Sequence, residues 1–275
     1  MAMSSTGRLL ILILSLFAAS SLSGQVVFSR RVYKEQGRSY QQIWTWNPAN
    51  GVLKALTQSR RDHYLPACTN GKITFVSPEP YEKNSKLWSF DPASGEERLI
   101  GPAPMPASHE TPPKNDCPRF AKAGGFEACG NDEDLTVSRT GKVVGHVNIQ
   151  TNDCPLDNHG NIGKCATPIF FLRWSPDAKW LLVGEVDNAH ESDYYVVEAA
   201  TMELTKVASA SDILWLPQRD ELLYVTPMDL APLAGARRER NVWVQQLMLF
   251  DPATGKSTAI TSGVTNNVDA SLCGR

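Results

Sequence analysis

The sequence predicts an all-β fold built from repeated four-stranded antiparallel sheets closed into a ring. Three observations carry that prediction. One hairpin pattern recurs along the chain, a second alternates with it, and the two chain ends match interior copies of the repeat.

The first pattern is an apolar triplet, a turn usually of the form Asn/Asp-Pro-Ala-x-Gly, and a second strand. It occurs as WTWNPANGVLKALT (Trp44–Thr57), WSFDPASGEERLIG (Trp88–Gly101), YVVEAATMELTKVA (Tyr195–Ala208) and MLFDPATGKSTAIT (Met248–Thr261). Proline presets φ in such a turn, and glycine permits the positive φ that closes it. The Tyr195 copy lacks both residues. The second pattern is a short strand, a tight polar turn and an apolar run. Its copies are LPACTNGKITFVS (Leu65–Ser77), LTVSRTGKVVGHV (Leu135–Val147), LRWSPDAKWLLVG (Leu172–Gly184) and LWLPQRDELLYVT (Leu214–Thr226). The order is hairpin AB, then hairpin CD, repeated. Four strands per unit at a period of about 40–50 residues is the mark of a β-propeller blade.

The CD hairpins begin at Trp44, Trp88, Tyr195 and Met248, and the Trp88–Tyr195 interval is about twice the others. That spacing predicts five blades, or six if the segment after Gly101 hides another. The third is read as degenerate, with Leu135–Val147 as its AB hairpin and NDCPLDNHGNIGKCATPIFF in place of a CD hairpin. At the ends, VVFSRRV (Val26–Val32) reads as a B strand without its A strand. NNVDASLCGR matches the approach to the A strand at DHYLPACTNG. The C-terminal strand is therefore expected to complete the first blade, which removes exposed sheet edges.

The motifs WSPDAKWLLVG, FDPASG and FDPATG resemble those of TolB-like, WD-repeat-like (PD40-type) propellers of exported bacterial proteins. The resemblance spans Val26–Arg275; its motifs specify the propeller scaffold and say nothing about a ligand. The best-known member of that family has an extra N-terminal domain and six blades, and this chain offers no room for that domain.

Residues 1–24 read as a cleaved signal peptide and 25–275 as the propeller domain. Arg8 supplies the basic region, LLILILSLF (Leu9–Phe17) the apolar core, and AASSLSG the small residues for cleavage near Ser23 or Gly24. The apolar core is too short for a transmembrane anchor, which takes about 20 residues. The expectation is a periplasmic or secreted protein without stable membrane insertion. Hydrophobic residues at 42% suit a packed core, and a net charge of −2 gives no electrostatic reason to expect nucleic acid or an anionic membrane.

Six cysteines in an exported chain read as disulfides, and no C-x-x-C pair points to zinc. Cys117–Cys129 and Cys154–Cys165 each bracket one long loop, and Cys68–Cys273 would clamp the closing blade to its neighbour. No nucleophile elbow, H-E-x-x-H or phosphate-cradling glycine loop occurs, so no catalytic, cofactor or metal residue is assigned and no cofactor is expected. The five histidines show no ligand spacing and read as surface or satisfied loop residues. NDED (Asn131–Asp134) and EVDNAHESD (Glu185–Asp193) offer oxygen ligands without a calcium-loop pattern and read as solvated acidic loops. ARRER (Ala236–Arg240) reads as a solvated loop. Trp174 and Trp215, on the innermost strands, are candidates to line the central channel.

Loop length carries the functional expectation. In a meander blade the AB and CD turns share one face, and the BC and DA connections share the other. Every AB and CD turn is tight. The long segments, Tyr33–Gln42, Pro78–Lys86, Pro102–Asp134, Gln150–Thr167, Glu185–Asp193 and Pro227–Val242, all fall on the other face. Residues on loops held by a rigid scaffold are where binding concentrates. The expected function is a non-catalytic scaffold that binds a protein or cell-envelope partner through that face. The rival is a propeller hydrolase or lyase with its site at the channel mouth.

Overall fold

The computed structural model describes residues 24–69, 71–77, 85–104, 117–131, 134–149, 169–188, 191–235 and 240–273. The signal-peptide reading and the pair Cys154–Cys165 lie outside them. The first blade takes β1 (Val26–Val32), β2 (Gln41–Trp46) and β3 (Leu53–Ala55). The second takes β4 (Tyr64–Thr69), β5 (Lys72–Ser77), β6 (Lys86–Asp91) and β7 (Glu96–Pro102). The third takes β8 (Arg119–Ala123), β9 (Phe126–Asn131), β10 (Asp134–Arg139) and β11 (Lys142–Asn148). The fourth takes β12 (Ile169–Trp174), β13 (Trp180–Asn188), β14 (Glu191–Glu198) and β15 (Leu204–Ala210). In the fifth, β16 (Asp212–Trp215) and β17 (Leu222–Val225) are followed by an inserted hairpin, β18 (Asp229–Pro232) with β19 (Asn241–Val244). Then come β20 (Leu247–Asp251) and β21 (Lys256–Ala259). The chain returns to the first blade, where β22 (Thr265–Leu272) pairs antiparallel with β1. Five four-stranded sheets, the first completed by the C-terminal strand β22, form a β-propeller.

Two elements differ from the sequence reading. Leu135–Val147 is the CD hairpin of the third blade, and the AB hairpin is Arg119–Asn131, inside the segment read as a long loop. The third blade is complete. RTG closes a hairpin with the same positive-φ geometry whether it joins A to B or C to D, and the strand RFAKA has little of the β-branched content that marks a strand. Glu185–Asp193 is a tight hairpin between β13 and β14, with Asn188 opposite Glu191. Pro227–Val242 is a connection that carries β18–β19.

The recurring CD turn has one physical design. In three copies the Asn or Asp side chain accepts an N–H two residues on, with Asn47–Ala49, Asp91–Ala93 and Asp251–Ala253 each at 2.9 Å. Gly51, Gly95 and Gly255 then turn the chain at φ 71, 73 and 65°. In the fourth copy Met202 takes the glycine's place at φ 62°, in a region unfavourable to L-residues. The threonine that ends the repeat is buried. Thr57 Oγ1 accepts the Ile43 N–H at 2.9 Å and Thr261 Oγ1 accepts the Leu247 N–H at 2.8 Å, each satisfying the start of strand C.

The core lies between blades, and the period of two along each strand explains how. Val26 and Phe28 face blade five, with Leu223 and Val225, while Val27 faces blade two, with Ile73 and Phe75. Leu181 and Val183 pack toward blade three, while Leu182 joins Trp215 and Phe250 of blade five. Near-continuous apolar strands are therefore buried on both faces. Trp174 and Trp215, the candidates for the channel lining, are buried members of these seams. Trp174 packs on Phe126, and the Trp215 indole donates to the Arg173 carbonyl at 3.0 Å.

Candidate functional site

Two polar features stand out, one on the long-connection face and one on the channel wall. The first starts from β2. Gln42 donates its side-chain amide to the carbonyls of Ser59 and Arg61 at 3.0 and 2.9 Å. The Gln41 backbone N–H donates to Asp62 Oδ1 at 2.6 Å, and its carbonyl accepts the His63 N–H at 2.9 Å. The connection Ser59-Arg60-Arg61-Asp62-His63 is thereby strapped onto a strand. His63 is fully buried, stacked on Phe75 at 4.4 Å and hydrogen-bonded to Ser59 Oγ at 2.7 Å, so it is an anchor and not a surface histidine. Burial, reinforced by Arg61 and opposed by Asp62, lowers its pKa to about 4.

That strapped loop fixes Asp62, and Asp62 fixes arginines. Arg31, at the end of β1, donates to Asp62 at 3.0 Å, and Arg38 of the next connection lies 3.6 Å away. Arg61 lies over the Trp88 ring at 4.0 Å and pairs with Glu97 at 3.2 Å. The result is a groove of two open compartments. One, of about 360 Å³, is lined by Arg38, Arg60, Arg61, Asp62, Lys86 and Trp88. The other, of about 330 Å³, is lined by Arg31, Tyr33, Arg38, Asp62 and Arg240. Arg38 and Asp62 are common to both, and blades one, two and five all contribute. Among the described residues Arg60, Lys86 and Arg240 make no ion pair. No local motif marks this groove, and Arg240, read from the sequence as part of a solvated loop, lines it; Ala236–Glu239 lie outside the described residues. A signal was present: Arg30–Arg31 and Arg60–Arg61 both sit where a strand meets the long-connection face.

The inserted hairpin stands beside the groove. Ala231 pairs with Val242 toward the body, while Leu230 pairs with Trp243 on the outer side. Leu230 and Trp243 are 49% and 50% exposed, and Met228 next to them 47%. Arg240, immediately before β19, joins hairpin to groove.

The second feature lies on the channel wall. Asp269 interrupts β22 at φ 56°, and Leu65, on the adjacent inner strand β4, sits at φ 51°. Asp269 Oδ2 accepts the Leu65 N–H at 3.0 Å, and the Asp269 N–H donates to Asp212 Oδ2 at 3.1 Å. Inner strands of blades two, one and five are thus stitched by two carboxylates. Burial, with Asp212 adding to it and the Leu65 N–H opposing, raises the Asp269 pKa to about 6; burial raises Asp212 as well. Among the described residues no group of three or more His, Cys, Asp or Glu side chains is placed to hold a metal ion. Asp193, in the segment considered for calcium, is committed to Lys206 and Ser209.

Cysteine placement follows the ring. Cys68 on β4 and Cys273 after β22 lie at disulfide distance, with Cα atoms 4.8 Å apart, across the seam between blades one and two. Cys117 and Cys129 lie at disulfide distance with Cα atoms 5.5 Å apart. This pair ties the approach to β8 onto β9.

The described residues define a β-propeller of five four-stranded blades, with the long connections, the basic groove and the exposed Leu230–Trp243 hairpin on one face. No family model and no curated protein sequence matches the chain. Solved structures do. A candidate 6-phosphogluconolactonase from Bacteroides fragilis is 12% identical over 91% of this chain and 99% of its own, with a TM-score of 0.43. A second such protein, from Bacteroides uniformis, is 11% identical over 92% and 98%, with a TM-score of 0.36. TolB from Acinetobacter baumannii is 15% identical over 88% of this chain and 53% of its own, with a TM-score of 0.30. At these values the fold assignment rests on this chain's own strand pairing. Among the described residues no helix is long and apolar enough to cross a membrane.

Proposed function

We propose that the protein is an exported scaffold whose long-connection face captures a protein or cell-envelope partner. The observation that carries the proposal is the coincidence, on one face, of the preorganised basic groove and the exposed Leu230–Trp243 pair. Packed blades supply the scaffold, and inserted connections supply the contacts. Among the described residues the hairpins of the opposite face close in tight turns. Deleting Pro102–Asp134 would not test this reading, because it would remove β8 and β9. The cleaner test is Leu230→Ser with Trp243→Ser, which touches only exposed side chains. Capture of the wild-type protein's partner from an envelope extract should fall severalfold with unchanged thermal stability; undiminished capture counts against the reading.

A second reading, a propeller hydrolase or lyase, draws on the Asp212–Asp269 pair. Buried carboxylates with raised pKa values are a common ingredient of acid–base sites.

A further inference from the structure

The groove and hairpin together specify the chemistry of what they hold. We propose that they form a bipartite site for an acidic segment of a partner protein, its carboxylates entering the two groove compartments and an apolar side chain resting on Leu230 and Trp243. The proposal rests on the reading of the long-connection face as the capture surface, and it adds the partner's character.

Charge is the first argument. The chain carries a net charge of −2, yet Arg31, Arg38, Arg60, Arg61, Lys86 and Arg240 line this groove against Asp62. Five of the six are arginines, whose planar fork matches a carboxylate in two parallel hydrogen bonds. Asp62 is engaged by the Gln41 N–H, Arg31 and Arg38, and Glu97 pairs with Arg61, so two carboxylates offset part of six cations and the groove keeps a positive excess. Arg60, Lys86 and Arg240 remain without an ion pair among the described residues, which leaves cations for a ligand from each of the three contributing blades or their connections. The second argument is the division of the groove. Two compartments that meet at the Arg38–Asp62 pair suit two acidic groups, one on either side of it, better than one isolated anion.

The hairpin decides between classes of anion. A polyuronate or a phosphate chain is charged throughout and gains little from a flanking Leu–Trp–Met surface. A peptide that alternates acidic and apolar side chains uses both. Arg240 makes the two surfaces continuous, since it lines the groove and adjoins the strand that bears Trp243. Ligands that combine a charged contact with a buried aromatic anchor follow a common interface pattern.

The test uses the mature protein and three fluorescein-labelled probes: an alternating Glu–Leu peptide, an all-Glu peptide and an alternating Lys–Leu peptide. An unlabelled oligogalacturonate serves as competitor. The Glu–Leu peptide should bind, and its affinity should fall about tenfold or more when salt is raised from about 50 to 200 mM. Arg60→Glu with Lys86→Glu and Arg240→Glu should abolish binding while leaving the melting temperature unchanged. Leu230→Ser with Trp243→Ser should weaken the Glu–Leu peptide severalfold and leave the all-Glu peptide unaffected. Equal binding of Glu–Leu and Lys–Leu peptides overturns the proposal, as does oligogalacturonate displacing the peptide at equal concentration. If no acidic peptide binds but partner capture still depends on Leu230 and Trp243, this inference fails and the reading of the face survives. If peptides bind as described but capture ignores the hairpin, the reading of the face is what fails.

Discussion

Asp269→Asn is expected to make the protein more stable above pH 6. Burial raises the folded-state pKa of Asp269 to about 6 from an ordinary 3.8. The folded state therefore holds the proton more tightly than the unfolded chain, and the stability this provides is complete below pH 3.8 and is lost as pH rises through 6. A difference of this size corresponds to about 3 kcal/mol. Asparagine keeps an oxygen for the Leu65 N–H, tolerates the left-handed backbone at this position, and carries no charge to bury. The melting temperature should rise by about 5–10 °C at pH 7.5 and show no gain near pH 4. His63 acts in the opposite sense. Burial lowers its folded pKa to about 4 from an ordinary 6.5, so its contribution is intact above pH 6.5 and is lost as pH falls toward 4. In the wild type the two slopes oppose each other across pH 4–6; in Asp269→Asn the His63 slope stands alone, and the variant should lose stability steadily on acidification. A variant no more stable than wild type at pH 7.5 would contradict the burial argument. A residue that costs stability is often kept for function, so if Asp269 serves the hydrolase or lyase reading, the same variant loses turnover as it gains stability.

Opening the Cys68–Cys273 link is the second large expected effect. The two cysteines are separated by 205 residues and hold the closing strand β22 against its neighbour β4. In the chain-entropy account, releasing a crosslink across a loop this long costs about 3–5 kcal/mol. Cys68→Ser with Cys273→Ser should lower the melting temperature by about 10 °C, and reduction of the wild type by dithiothreitol should lower it at least as far. Both effects act on ring closure, because β22 supplies the inner strand of the first blade and can leave only by unpairing from β1. A melting temperature that ignores reduction would show that the pair does not close the ring.

The fold was legible in the sequence because its determinants are local. The Asp-Pro-Ala-x-Gly turns are specified within five residues, and the seams follow from apolar strands such as Val26-Val27-Phe28, whose neighbours face alternate blades. The third blade was misphased for an equally local reason: Ala121, Lys122 and Ala123 carry no strand signal, and the turn at Thr140–Gly141 suits either hairpin. The groove was not legible, because Arg31, Arg61, Lys86 and Arg240 come together only through ring closure and blade insertion. Its one local trace is the Arg30–Arg31 and Arg60–Arg61 pairs, each where a strand meets the long-connection face. Asp269 left a weaker trace, an acidic residue inside the strand pattern NNVDASL, which the positive φ of a bulge explains.

The central claim is that one face of this ring binds and the other does not. The most direct measurement compares partner capture from an envelope extract by three proteins: wild type, Arg60→Glu/Lys86→Glu/Arg240→Glu on the long-connection face, and Lys142→Glu/Lys256→Glu beside the short turns of the opposite face. All five substituted side chains belong to residues whose reversal removes no ion pair among the described residues. The account predicts capture by wild type and by the Lys142/Lys256 variant, and its loss from the Arg60/Lys86/Arg240 variant. Equal capture by all three, or loss from the Lys142/Lys256 variant alone, would contradict it.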